Sequence, residues 1–140
     1  MQRKDRFLAE DLPVRVEYKD RASVASRLVS ERAMLDYVKD SGTSMAYRLM
    51  TGKILLDRDG WVGRARDSLS SLGDAFWHPY RESCESRMEH YLNDLGASVM
   101  RDDPFFYQIS LSGFLKHVAA SLFAANRLFE ASHRHVTERL

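Results

Sequence analysis

Asp57-Arg58-Asp59-Gly60 sets two carboxylates one residue apart, followed by a glycine, the start of a pattern that could hold a hard cation. A calcium loop of this kind needs further oxygen ligands and a Glu about six residues beyond the glycine. Gly63, Arg64, Ala65 and Arg66 fill that region instead, so the pattern predicts a tight turn whose aspartates cap a helix beginning at Trp61. A second gathering, His78, Glu82, Cys84, Glu85, Glu89 and His90, crowds one predicted helix. His78 and Cys84 do not have the i, i+4 spacing of a helical metal clip, and there is no second cysteine to complete a structural zinc site. Arg81 four residues before Glu85 reads as part of a solvated charged face. Cys84, the only cysteine, cannot form an intrachain disulfide, which agrees with a reducing compartment.

The elements that must position these groups follow from periodicity. Residues 1–12 read as a polar lead-in. Pro13 opens an alternating run in which Val14, Val16 and Tyr18 point one way and Arg15, Glu17 and Lys19 the other, a strand with one wet face. Asp20 is the expected N-cap of a helix from about Arg21 to Lys39, ended by Ser41-Gly42. A short helix over Ser44 to Met50 stops at Gly52, placed there for its tolerance of the left-handed conformation. Ile54-Leu55-Leu56 reads as a brief strand that could pair with residues 13–19. Another helix spans Trp61 to Leu72.

From residue 73 onward the pattern is helical only. One helix runs from near Asp74 or Pro79 to Leu95, with Gly96 as its C′ residue. Asp102-Asp103-Pro104 restarts a helix, an Asp cap before a Pro whose fixed φ suits the first turn. That helix is apolar on most sides, which makes it central to a bundle or in need of a partner. Trp77, Tyr80, Tyr91, Phe105, Phe106 and Tyr107 read as core, with some rings available as a pocket wall. A break near Ala131-Ser132 precedes a last short helix. The expected fold class is mostly α, a helical bundle with a small N-terminal β element.

A chain of 140 residues, 44% hydrophobic and 29% charged, has the composition of an ordinary globular domain. No apolar run approaches the roughly 20 residues that cross a bilayer, and the N-terminus lacks the apolar core of a signal peptide. The plain expectation is a cytoplasmic protein with no membrane partner. A net charge of +1 gives no global field for a polyanion, although both termini carry mild clusters of basic residues.

Three segments, in chain order, resemble the nucleotidyltransferase-fold family. Tyr47 to Gly60 is similar to the passage where the family's chain leaves the catalytic sheet for a helical substrate domain. Pro13 to Lys19 looks like the strand that carries the third acidic residue, and Leu122 to Phe129 looks like the late helix. The resemblance implies residues 1–60 as the partial end of a catalytic domain and 61–140 as a HEPN-like helical substrate-binding bundle, or both as one compact unit. It implies transfer of a nucleoside monophosphate from an NTP to a hydroxyl acceptor, with Mg2+ held by three carboxylates. Glu17 stands where the third would be, and is the candidate catalytic and metal-binding residue.

The family's Gly-Ser turn and Asp-x-Asp strand do not occur in this sequence. The chain alone is therefore expected to be inactive in nucleotidyl transfer and to bind neither Mg2+ nor NTP tightly. Its partner would be a missing N-terminal catalytic segment or a separate nucleotidyltransferase chain. Arg127 and His133 match the Arg-x4-6-His motif of HEPN ribonucleases, which gives an alternative. In that family the bundle forms a homodimer, and His serves as general acid or base on RNA while Arg stabilises phosphate charge. A non-catalytic helical interaction module is the third reading.

Overall fold

The computed structural model describes residues 4–130. His133 and the expected last helix lie outside them.

The N-terminal segment is a β-hairpin of strands β1 (Lys4–Ala9) and β2 (Leu12–Glu17), paired antiparallel with Lys4 opposite Glu17 and Ala9 opposite Leu12. Residues expected as a polar lead-in thus form β1. Glu10 and Asp11 turn the chain with φ of 50° and 64°, the two positive values that a two-residue type I′ connection requires. The pairing expected between residues 13–19 and 54–56 does not form. Ile54 to Leu56 has no strand structure and Leu55 is 86% exposed, because the hairpin partner lies immediately upstream in sequence. A local turn closes at much lower entropic cost than a loop of some 40 residues.

The helix expected over residues 21–39 is two helices, α1 (Arg21–Leu28) and α2 (Glu31–Ser41). Ser30 breaks the run: in extended conformation it accepts from the Ala33 amide at 3.1 Å and caps α2. Asp20 caps α1 as expected, accepting from Ser23 N at 2.7 Å. Helix α3 (Ser44–Thr51) ends at Gly52, which is extended with φ of −63° rather than left-handed. Glycine is needed there for closeness, since a Cβ would lie 2.7 Å from the Arg48 carbonyl oxygen. Arg66 on α4 (Trp61–Ser70) holds that end, donating from Nε to Leu49 O at 2.8 Å and from its guanidinium to Gly52 O.

Two long helices complete the described fold, α5 (Asp74–Met100) and α6 (Pro104–Ala125). Helix α5 runs straight through Gly96, the expected stop, and ends instead at Arg101, before Asp102 with φ of 51°. Pro79 lies within its second turn. Asp103 caps α6 by accepting from Phe106 N at 2.9 Å, with Pro104 opening the helix. The protein is therefore mostly helical, with a small two-stranded β element at its N-terminus. Its buried core joins Val24, Met34, Val38 and Leu69 to Phe76, Tyr80, Ala120 and Ala124, so it crosses residue 60 in the chain. Phe76 is fully buried, with its ring 4.9 Å from Trp77 and 5.9 Å from Tyr80. Phe105, by contrast, is 75% exposed and lies outside the core. Among the described residues no helix is long and apolar enough to cross a membrane.

Candidate functional site

The end of β2 meets the helices through Glu17, while Arg15 stays exposed at the rim. Arg15 and Glu17, with Lys19 just beyond the strand, line a cleft of about 590 Å³ whose other walls are Arg21 and Val24 of α1, Tyr37 of α2, Met45, Arg48 and Leu49 of α3, and Trp61 of α4. The wet strand face expected from alternation keeps Arg15 and Lys19 exposed, and only the half-buried Glu17 turns toward the body. Four cations and one carboxylate line the cleft, beside two aromatic rings.

Glu17 is the hub. One carboxylate oxygen lies 3.4 Å from both the Lys4 and Lys19 ammonium groups, and the other accepts from the Arg48 guanidinium at 3.0 Å. Desolvation alone would raise its pKa. The hydrogen bonds and charges of Lys19 and Lys4 outweigh it, and the carboxyl sits below its ordinary 4.5. At the cleft edge Arg21 pairs with Asp59 at 2.6 Å, and its guanidinium lies over the Trp61 ring, 5.6 Å from the centroid. That pairing, chiefly the Arg21 hydrogen bond, lowers the Asp59 pKa against a smaller opposing effect of desolvation.

Asp57 holds the mouth of the cleft by capping. Its two oxygens accept from the Trp61 and Val62 amides at 3.0 Å each, while Asp59 accepts from Trp61 N at 3.3 Å. Both aspartates serve the turn, as the missing calcium ligands led us to expect, and they fix where the Trp61 ring enters the cleft. The charged face of α5 is also as read, with Arg81 3.2 Å from Glu85 and His78 3.4 Å from Glu82.

Arg127 lies away from Glu17, at a separate apolar cavity walled by Tyr47, Trp77, Phe123 and Phe129. It has φ of 55° and donates to Asp74 at 2.5 Å. A smaller cavity of about 280 Å³ lies among Thr43, Arg48, Tyr80, Cys84 and Lys116. Burial pushes both the Tyr80 phenol and the Cys84 thiol up, so Cys84 is held as the neutral thiol and is a poor nucleophile.

Reading the sequence alone picked out Glu17 but missed Arg48, Lys19 and Arg21. The signal was present in the Arg15/Glu17/Lys19 alternation, and nothing in that pattern says whether such a face meets water or a cleft. The chain matches no protein-family model, no curated protein and no solved structure.

The described residues gather no group of three carboxylate, histidine or cysteine side chains able to hold a metal ion. Glu17 is engaged by three cations, which would repel a dication. The residues present therefore do not fit a magnesium pair.

Proposed function

We propose that this chain is the C-terminal portion of a cytoplasmic, nucleotidyltransferase-like protein, and that the β2/α3 cleft receives the phosphate chain of a nucleoside triphosphate. One observation carries the reading. The segments over 13–19 and 47–60, which resemble separate parts of that family, meet in space, with Glu17 bound to Arg48 and Leu49 in the same cleft. A cleft lined by Arg15, Lys19, Arg21 and Arg48 suits a polyphosphate, and the Trp61 and Tyr37 rings suit a flat base.

Glu17 acts here as an organiser of cations. A catalytic segment or a separate nucleotidyltransferase chain would have to supply the metal-binding carboxylates. The open hairpin supports such a partner, since two strands alone are marginal in water and Phe7, Leu8 and Leu12 are exposed. The ribonuclease alternative ranks below this reading, because Arg127 lies at a separate, largely apolar cavity away from the gathered cations.

The test is titration of the purified chain with ATP and with inorganic triphosphate, followed by calorimetry and by tryptophan fluorescence in a Trp77→Phe background, which leaves Trp61 as the one tryptophan. Saturable binding by both ligands in the submillimolar range is expected, weakened at least about tenfold by Arg48→Ala combined with Lys19→Ala. Absence of binding, or binding that the double variant leaves unchanged, overturns the proposal.

A further inference from the structure

The cavity of about 280 Å³ among α2, α3, α5 and α6 is built unlike the β2/α3 cleft. Part of its lining is buried, with Thr43 at the start of α3, Tyr80 on α5 and His117 on α6. Around these stand Lys39 of α2, Arg48 of α3, Arg87 of α5 and Lys116 of α6, one cation from each of four helices. Lys39 is half-buried and the other three are exposed. Lys116 is the one Lys, Arg, Asp or Glu in all of α6, and it lies at this cavity.

Two carboxylates also line it, Asp40 and the buried Glu130, so the four cations exceed them by two. Arg48 is held by Glu17 in the neighbouring cleft, and Asp40 reaches Arg87 only at 3.8 Å. Lys39 and Lys116 have no ion-pair partner among the described residues, so the excess positive charge rests on them. The backbone adds to the same field. Thr43 holds the cap position of α3 without capping it; its hydroxyl accepts from Glu130 N at 2.7 Å and donates to Glu130 O at 3.4 Å. The first-turn amides of α3, beginning with Ser44 on the cavity wall, therefore keep their partial positive charge. Cations gathered around a buried floor focus their field on the space between them.

We infer that this cavity binds a single phosphate group, as the free anion or as the monoester of a small metabolite. Lys39, Arg87 and Lys116 supply the charge, and the Ser44 and Ser83 hydroxyls on the wall are further donors. Size selects the ligand. A volume of about 280 Å³ falls just below the range of drug-sized sites, which leaves room for a tetrahedral oxyanion with a short substituent and too little for a nucleoside triphosphate. The inference is independent of the reading of the β2/α3 cleft, since Ser44 and Arg48 alone line both spaces.

Calorimetric titration of the full chain with inorganic phosphate and with glycerol 3-phosphate, in low-salt buffer free of other oxyanions, tests this. Saturable binding of at least one, with a dissociation constant of about 1 mM or below, is expected. Tighter binding of glycerol 3-phosphate identifies a monoester as the ligand; equal or weaker binding identifies the free anion. Lys39→Gln combined with Lys116→Gln should weaken binding about tenfold or more. Asp40→Asn, which releases Arg87, should tighten it, and Lys19→Ala in the other cleft should leave it unchanged. Circular dichroism verifies that the lysine variant keeps its helices; if it does not, Arg87→Gln takes its place. Absence of saturable binding, binding that the lysine variant leaves unchanged or Asp40→Asn loosens, or binding lost through Lys19→Ala overturns the inference.

Discussion

Glu17, the last residue of β2, accepts a hydrogen bond from Arg48 on α3 at 3.0 Å, across 31 residues of chain. It ties the hairpin to the helical body and orders the cations of the cleft in one contact. Arg48→Ala should therefore free the hairpin without unfolding the helices. The expected result is faster amide hydrogen exchange over residues 4–17, with exchange in α5 unchanged.

The same contact sets a pH dependence. The folded pKa of Glu17 is lowered below its ordinary 4.5, so its stabilising effect is complete at neutral pH. It is lost as pH falls through the lowered folded value, where protonation removes the partner of Lys4, Lys19 and Arg48. Hairpin protection factors, corrected for intrinsic exchange, should fall in that acid window and stay level above the ordinary value of 4.5, and Glu17→Gln should flatten the whole profile.

Asp57 satisfies two amides at the start of α4, so Asp57→Ala should cost about 0.5–2 kcal/mol, the range for loss of a helix cap. Denaturant titration reads it. An Asp57→Asn variant, which keeps an acceptor oxygen, should recover part of the loss.

Gly113 allows α6 to approach α5. A Cβ there would meet the Tyr91 ring well inside van der Waals contact, and that ring is stacked on His117 at 5.6 Å. Gly113→Ala should destabilise the protein by about 1–3 kcal/mol through overpacking. Tyr91→Leu in the same chain should relieve most of it, a coupling that a double-mutant cycle measures.

The purified chain should not release pyrophosphate from nucleoside triphosphates in the presence of magnesium, because one carboxylate cannot organise a metal pair. Metal-dependent release that disappears in Glu17→Ala would contradict this.

Local chemistry by itself determined much of the helical framework. The Asp20 and Asp103 caps, Pro104 in the first turn, and Asp57 and Asp59 at the start of α4 are decided by side chains reaching amides within five residues, and such signals are written in adjacent letters. Ser30 was legible in the same way and was overlooked inside an apolar rhythm that continues on both sides of it. Gly96 shows the opposite failure, since helix-to-helix packing along α5 and α6 carries the helix past a residue that would end an isolated one.

Only tertiary structure decided the partner of β2 and the direction of its polar face. A period of two separates two faces and is silent on which one meets the body. The pairing of Lys4–Ala9 with Leu12–Glu17 set Glu17 against Arg48 of α3, and made a cleft wall from residues whose spacing alone reads as a solvated edge.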